Sequence, residues 1–187
     1  MTDSEAVQYW YNFIDGDLDS LSILFSHYAK CLFSYGMKIC KDEELVKDSI
    51  QEVFVQLIQK RHKLKQNDTI KGLIYRLLRN KIIDEIKRIN RGKKIDNLIF
   101  IAESSFELDV EHYQIQFEDE TKRNDRLSSA LDQLSAHQKE AMFLKYSECF
   151  SYEQISEAMG MNVASARTLI YRTIKQMKSL LFENTVY

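Results

Sequence analysis

The stretch from 150 to 181 constrains the fold most strongly, because it carries the signals for two helices and the turn between them. Ser151 and Gln154 have the spacing of a capping box, which predicts that a helix begins there. Gly160 can take the left-handed conformation that ends a helix, and Asn162 can cap the next one. Apolar residues at helical spacing predict that the two helices pack together: Ile155, Met159, Val163, Leu169 and Ile170.

The second of these helices has a polar and cationic surface. It contains no acidic residue before Glu183. Its side chains suit the major groove of DNA, with phosphates on the flank of the helix. The candidate contacts are Ser165, Arg167, Thr168, Tyr171, Arg172 and Lys175. An ordinary helical hairpin with a solvated basic face would show the same pattern.

The rest of the chain is also predicted to be helical. Proline is absent and only five of the 187 residues are glycine, which favours long helices with few tight turns. Apolar residues recur at steps of three and four from residue 4 to 91 and again from 125. We therefore predict an all-α fold with two small helical domains at 4–95 and 124–183. An acidic linker at 96–123 joins them, and the C-terminal domain is a helix-turn-helix.

The charges are distributed unevenly along the chain. Thirteen Lys and Arg residues face only three acids between Lys60 and Lys94, whereas seven acids stand without any Lys or Arg between Asn97 and Thr121. This asymmetry predicts a polyanion-binding segment beside an acidic connector. The acids could cover the basic segment in the free protein, or they could merely keep the linker soluble.

The most basic helix is predicted to begin near Asp68 or Thr69 and to end near Arg91. An apolar stripe is expected to pack inward: Ile70, Ile74, Leu77, Ile82, Ile86 and Ile89. A cationic face is expected outside that stripe, and it includes Asn80, whose amide can hydrogen-bond a base edge. The cations of this face are Arg76, Arg79, Lys87, Arg88 and Arg91.

Several classes of function find no support in the sequence. The three cysteines lack CxxC spacing and the four histidines form no metal-binding pair, so we expect no metal, no cofactor and no catalytic residue. There is no Gly-rich phosphate loop and no nucleophile elbow, so the protein is not expected to be an enzyme. No apolar run approaches the ~20 residues that span a bilayer, and no signal peptide is evident. We expect a soluble, cytoplasmic protein without membrane insertion.

Two motifs together resemble one family. The segment VKDSIQEVFVQL, followed by YRLLRNKIIDEIKR, resembles conserved region 2 of bacterial RNA polymerase sigma factors. The segment from Leu134 to Met177 resembles region 4. Both regions in this order, with a short linker and neither region 1 nor region 3, resemble the small extracytoplasmic-function (ECF) class.

This resemblance implies roles for individual residues. Asp48, Gln51 and Glu52 would dock on the clamp helices of the polymerase β′ subunit, while Phe54 would be core. Region 4 would contact the β flap. The loop around 61–68 would cradle a flipped base. The −10 promoter element would be contacted by Arg61, Lys63, Arg76, Asn80, Asp84, Lys87 and Arg88. The −35 element would be read by Ser165, Arg167, Thr168, Tyr171, Arg172 and Lys175.

The implied function is to bind core RNA polymerase, recognise promoter DNA and open it without covalent chemistry, under the control of an anti-sigma factor. The two promoter elements would lie about 17 base pairs, or about 58 Å, apart along the duplex. One alternative is a helix-turn-helix regulator with an N-terminal sensing or dimerisation domain, although that leaves the pattern from Asp48 to Phe54 unexplained. A helical metal protein and a basic interaction scaffold are further alternatives.

Overall fold

The computed structural model describes residues 1–66, 68–91, 106 and 127–182, and this part of the chain is helical without any strand. The all-α prediction is therefore confirmed. A short helical stretch at 127–132 and a 3-10 turn at Arg61–Lys63 accompany the longer helices. The longer helices are α1 (Asp3–Asp15), α2 (Leu18–Ile39), α3 (Glu43–Gln59), α4 (Ile70–Arg91), α5 (Ala136–Met142), α6 (Tyr152–Met159) and α7 (Val163–Phe182).

Local capping signals set where several helices begin. The hydroxyl of Ser151 accepts the backbone N–H of Gln154, whose side chain accepts the N–H of Ser151 in return. Ser135 and Gln138 form the same capping box at α5. Gly160 ends α6 with a φ of 65°, in the left-handed region, so the predicted stop is confirmed.

The N-terminal helices pack around long apolar and aromatic side chains. Trp10, Phe13 and Tyr35 are fully buried, and α2 lies against α1, α3 and α4. The indole N–H of Trp10 donates to the carbonyl of Lys65 at 3.2 Å, which fixes the segment that leads into α4.

The inward face of α4 differs in part from the predicted stripe. Ile89 is 46% exposed, because the last turn of α4 lies beside the polar start of α3, where Asp42 and Glu44 line the cleft. Conversely, Tyr75 and Leu78 are fully buried although they were not assigned to the stripe. These two residues are buried because α4 is covered on two sides, by the N-terminal helices and by α6.

One hydrophobic core joins the N-terminal and C-terminal helices. Phe143, Phe150 and Ile155 belong to the same cluster of buried side chains as Trp10 and Tyr35. The C-terminal helices are thus packed directly on α4. The predicted domain boundaries, near 95 and 124, lie outside the described residues and stay predictions.

The described part of the predicted linker is Phe106, which is only 5% exposed. Its ring lies 5.9 Å from the ring of Tyr35 and 5.6 Å from that of Phe143, measured between centroids. The seven acids between Asn97 and Thr121 lie outside the described residues, and the hypothesis that they cover the basic segment stays a prediction. Across the described ranges, no helix is both long enough and apolar enough to span a membrane.

Candidate DNA and polymerase interfaces

The outer face of α7 presents the whole set of predicted −35 residues to solvent. Ala166, Ile170 and Thr173 are buried on the opposite face, which holds α7 against α5 and α6. The side-chain oxygen of Asn162 accepts the N–H of Ser165 at 2.7 Å and caps the helix. The exposed residues are Ser165, Arg167, Thr168, Tyr171, Arg172 and Lys175.

Arg167 is the member of this set with partners on α6. Its Nη2 lies 3.6 Å from Oε1 of Glu153, and its guanidinium lies 5.3 Å from the ring centroid of Tyr152. The backbone N–H of Glu153 and the Ser151 hydroxyl lower the pKa of the Glu153 carboxyl, and Arg167 contributes to the same shift. Because both members of this ion pair are more than half exposed, a DNA phosphate can replace the carboxylate.

The predicted −10 residues of α4 lie on two different sides of the helix. Asn80, Asp84 and Arg88 are exposed and line clefts between α3 and α4. Arg76 faces the C-terminal helices instead, where its Nη2 lies 3.0 Å from Oε1 of Glu157. Lys87 is half-buried. The structure therefore does not bring all the predicted α4 residues onto one open face.

A cleft of about 320 Å³ lies between the end of α3 and the middle of α4. Leu57, Leu73 and Leu77 line its apolar part, and Asn80 and Asp84 line its polar part. The cleft combines an apolar surface with hydrogen-bonding groups, which suits an unstacked base. Its other lining residues are Val53, Gln56, Lys60, Leu64 and Lys81.

The predicted −10 residues before α4 lie in the 3-10 turn. Lys63 is exposed and Arg61 is half-buried. A Cβ built on Gly16 would lie 3.1 Å from Nη1 of Arg61, so this guanidinium rests against the turn between α1 and α2. Arg61 is thereby held closer to the protein surface than Lys63.

The predicted polymerase-docking residues lie on the exposed side of α3. Asp48, Gln51 and Glu52 are all exposed, whereas Phe54 is buried and packs edge-to-face on Phe25 with ring centroids 5.0 Å apart. The expectation that Phe54 belongs to the core is confirmed.

Glu52 is also the first member of a network of ion pairs that connects α3 to α4. Lys81 pairs with Glu52 and, at 2.8 Å, with Glu85, whose Oε2 lies 2.7 Å from Nη2 of Arg88. Lys81 donates hydrogen bonds to Glu52 and Glu85, which raise the pKa of Lys81, and Glu85 accepts hydrogen bonds from Lys81 and Arg88, which lower the pKa of Glu85. Within this network, the ion pair with Glu85 orients Arg88 along the outer face of α4.

A partly buried ion pair joins α4 to α5. The Nε of Arg79 donates to Oε1 of Glu140 at 2.9 Å, and the hydroxyl of Tyr35 donates to the same oxygen at 2.5 Å. Burial, followed by the charge of Glu140, raises the pKa of Tyr35 well above its usual value. The Glu140 carboxylate is therefore compensated by both a cation and a hydroxyl donor.

A second set of contacts joins α4 to the turn before α6. Lys71 donates to the carbonyl of Glu148 at 2.7 Å and lies 4.4 Å from the ring centroid of Phe150. Glu148 also accepts the hydroxyl of Tyr75 at 2.7 Å. Sequence reasoning missed Glu140, Glu148 and Glu157 as partners of α4. Glu140 directly follows His137, Gln138 and Lys139, so the local sequence gave no signal that its carboxylate would be buried.

Two family models match the chain, one for Sigma-70 region 2 over residues 24–92 and one for Sigma-70, region 4 over residues 124–177. The chain belongs to the ECF-type sigma factors of bacterial RNA polymerase. The predicted resemblance is confirmed. In this sigma factor, region 2 contains most of α2 together with α3 and α4, and region 4 contains α5 and α6 and most of α7.

Curated relatives and solved structures agree with this assignment. The sigma factor is 25% identical to the RNA polymerase sigma factor SigV of Bacillus subtilis, over 81% of this chain and 82% of the relative. It is 23% identical to the ECF RNA polymerase sigma factor SigM of the same organism, over 84% of this chain and 92% of the relative.

Two solved complexes share the fold. CnrH in complex with the cytosolic domain of CnrY gives a TM-score of 0.61 at 14% identity, covering 97% of this chain and 99% of that one. RpoE of Bartonella quintana in complex with the anti-sigma factor NepR gives a TM-score of 0.58 at 18% identity, covering 88% and 98%. The helix-turn-helix prediction for region 4 is confirmed by the geometry of α6 and α7 together with the family match.

Proposed function

We propose that this sigma factor binds core RNA polymerase and directs it to promoters that carry −10 and −35 elements. The observation that carries the proposal is the presence of two separate surfaces with exposed polar and cationic side chains. One lies on α4 in region 2 and the other on α7 in region 4. Asp48 and Gln51 of α3 are exposed for contact with the polymerase, and the exposed Glu52 beside them also pairs with Lys81 of α4.

The proposed −35 reader is the outer face of α7. Arg167 and Arg172 can donate two hydrogen bonds to the major-groove edge of guanine, and Thr168 can bond either base type. The proposed contacts are Ser165, Arg167, Thr168, Tyr171, Arg172 and Lys175.

The proposed −10 reader is α4 together with the 3-10 turn. Opening DNA costs about 1.4 kcal/mol of stacking per base-pair step. A base stacked against protein side chains recovers about 1–3 kcal/mol. The cleft beside Asn80 and Asp84 is a suitable place for such a base. The proposed contacts are Arg61, Lys63, Arg76, Asn80, Asp84, Lys87 and Arg88.

The proposed polymerase site is Asp48, Gln51 and Glu52 on α3, which would dock on the clamp helices of the β′ subunit, while region 4 meets the β flap. In this arrangement the polymerase supplies all the covalent chemistry and the sigma factor is not an enzyme. We place its action in the bacterial cytoplasm. An anti-sigma factor is a further proposed partner, in keeping with the complex of RpoE with NepR.

In vitro transcription with purified core polymerase over a promoter library tests the proposal. We expect run-off products from defined start sites that share two upstream elements. A helix-turn-helix regulator would instead bind DNA specifically without co-purifying with core polymerase. A chain that neither joins core polymerase nor directs initiation from any start site would contradict the proposed function.

A further inference from the structure

Helix α1 lies outside the part of the chain that matches Sigma-70 region 2. The region 2 match begins at residue 24, whereas α1 spans Asp3–Asp15. Its apolar face is nevertheless part of the core, because Ala6, Trp10 and Phe13 are buried. The proposed polymerase and DNA contacts include no residue of this helix. Its contacts with the rest of region 2 therefore indicate what it contributes.

Two neighbouring residues of α1 hold the α3–α4 connector, which we define as residues 61–66 and 68. The indole N–H of Trp10 donates to the carbonyl oxygen of Lys65 at 3.2 Å. The hydroxyl of Tyr11 donates to Oδ1 of Asp68 at 2.5 Å. These bonds span 55 and 57 residues of sequence, so tertiary packing and not local turn geometry produces them.

The turn that follows α1 contacts the beginning of the connector. Gly16 takes a φ of 125°, in the region that favours glycine. A Cβ built on Gly16 would lie 3.1 Å from Nη1 of Arg61, so the absence of a side chain lets this guanidinium rest on the turn. Helix α1 and its turn thus contact the connector at its beginning, its middle and its end.

The position of the connector determines one wall of the cleft that we propose for an unstacked base. Leu64 lines this cleft together with Asn80 and Asp84 of α4. The next residue, Lys65, provides the carbonyl oxygen that accepts the hydrogen bond of Trp10. A movement of the connector would therefore move Leu64 relative to the polar side chains of α4. A site that is fixed before binding loses less conformational entropy when its ligand enters.

We propose that α1 belongs to the −10 reader and that Trp10 and Tyr11 are its positioning residues. They fix the connector so that Leu64 and the polar side chains of α4 form the cleft before DNA arrives. Both act through the connector and not by touching the base. The contribution to promoter recognition rests on the proposed function, whereas the hold of α1 on the connector does not.

Limited proteolysis of the free chain tests the hold on the connector without DNA or polymerase. Lys63 and Lys65 are exposed trypsin sites within the connector. Tyr11→Phe removes only the hydroxyl that binds Asp68. Cleavage at the two lysines should become about 2- to 10-fold faster, because a segment that opens more often is cut more often. Tyr9→Phe, on the same helix, is the matched control and should be cut like the wild type. Equal cleavage rates in Tyr11→Phe and the wild type overturn the proposal.

A second variant removes the other partner of the same hydrogen bond. Asp68→Ala changes an exposed side chain of the connector and leaves α1 intact. If the two side chains act through their hydrogen bond, the double variant Tyr11→Phe/Asp68→Ala should be cleaved no faster than Asp68→Ala alone. Effects that multiply in the double variant would show that Tyr11 and Asp68 act independently, which also overturns the proposal.

The effect on promoter recognition is measured with holoenzyme reconstituted from core polymerase and a promoter found in the transcription screen. The readout is the ratio of initiation rates on the intact promoter and on the same promoter with a scrambled −10 element. Tyr11→Phe should lower this ratio about 2- to 10-fold and leave the corresponding ratio for the −35 element unchanged. Trp10→Phe, which removes the N–H that binds Lys65, should lower the same −10 ratio.

The comparison of the two promoter elements separates positioning from a general loss of folded protein, which would leave both ratios unchanged. Unchanged −10 discrimination in a Tyr11→Phe chain that is cleaved faster would reject the positioning role, and so would an equal loss of discrimination on both elements. A wild-type chain that directs no transcription would reject the proposed function. The cleavage rates would then still decide whether α1 holds the connector.

Discussion

The hydroxyl of Tyr75 in region 2 donates to Oε2 of Glu148 in region 4 at 2.7 Å. The ring of Tyr75 is fully buried, and its centroid lies 4.8 Å from that of Phe150. Burial raises the pKa of Tyr75 far above its usual value, and the negative charge of Glu148 adds to the shift. The folded chain therefore keeps this phenol neutral at a pH where an unfolded chain ionises it.

Stability should fall as the pH rises above 10. The unfolded chain releases the Tyr75 proton near pH 10 while the folded chain retains it, so the unfolded state gains about 1.4 kcal/mol per pH unit for each such group. Urea unfolding between pH 9 and pH 11 measures the slope, which Tyr75→Phe should reduce. Tyr171→Phe, at an exposed tyrosine, is the control and should leave it unchanged. Equal slopes in wild type and Tyr75→Phe would contradict the buried, neutral phenol.

Arg88→Ala should weaken −10 binding without destabilising the fold. The Arg88 side chain is 77% exposed, so its loss should change the free energy of unfolding by less than about 0.5 kcal/mol. Loss of one phosphate contact should lower the slope of log K against log salt by about 0.7 to 0.9 and slow promoter opening. Permanganate footprinting of the reconstituted holoenzyme measures opening. Lys30→Ala, at an exposed cation of α2, is the control. If Arg88→Ala opens promoters like the wild type, Arg88 does not contact the −10 element.

Tyr171→Ala should impair promoter recognition and leave polymerase binding intact. Tyr171 is 69% exposed on the outer face of α7, so its truncation should change the free energy of unfolding little. Loss of a base-edge contact typically costs about 1–3 kcal/mol, a decrease of about 5- to 150-fold in specific affinity. Holoenzyme binding to promoters with intact and scrambled −35 elements measures the effect. Tyr146→Ala, at an exposed tyrosine outside α7, should bind like the wild type. If Tyr171→Ala distinguishes intact from scrambled −35 elements as well as the wild type does, Tyr171 does not contact the −35 element.

Asp48→Lys should weaken assembly with core polymerase. The exposed position of Asp48 on α3 means that the fold tolerates the change, while a charge reversal in a docking surface places like charges together. We expect at least a tenfold loss of affinity, about 1.4 kcal/mol, in a fluorescence titration with core polymerase. Asp15→Lys, at an exposed acid at the end of α1, is the control with the same change of charge. Wild-type affinity in Asp48→Lys would place the docking surface elsewhere.

Phe106→Ala should destabilise the folded chain by about 3 kcal/mol, because it removes a buried ring from between Tyr35 and Phe143. Urea unfolding measures the loss. Phe25→Ala is the comparison, since Phe25 is 38% exposed and its truncation should cost less. A linker that served only as a tether would give Phe106→Ala a wild-type stability.

Much of the local structure could be predicted because its causes are local. Ser151, Gln154 and Gly160 determine where α6 begins and ends through hydrogen bonds and backbone conformations within the segment itself. The outward face of α7 follows from apolar spacing, which leaves one side of the helix polar. Motif order was enough to predict the family.

The error at Ile89 and the omission of Tyr75 have a different origin. Periodicity indicates that one side of α4 is buried, but it does not reveal that a second group of helices covers another side. Ile89 keeps the helical spacing and is nevertheless exposed, because its neighbours at the start of α3 are polar. Tyr75 lies beside the predicted stripe and is buried because region 4 packs there.

By itself, the sequence determined the helices, their caps, the exposed face of α7 and the family, since these depend on residues a few positions apart. Only the tertiary structure decided that α6 lies on Gly72, that Glu140 and Glu157 pair with Arg79 and Arg76, and that Phe106 enters the core. Those contacts join residues that are distant along the chain. Such pairings depend on which buried surfaces fit each other, and the pattern of a single chain does not encode that fit in any local signal.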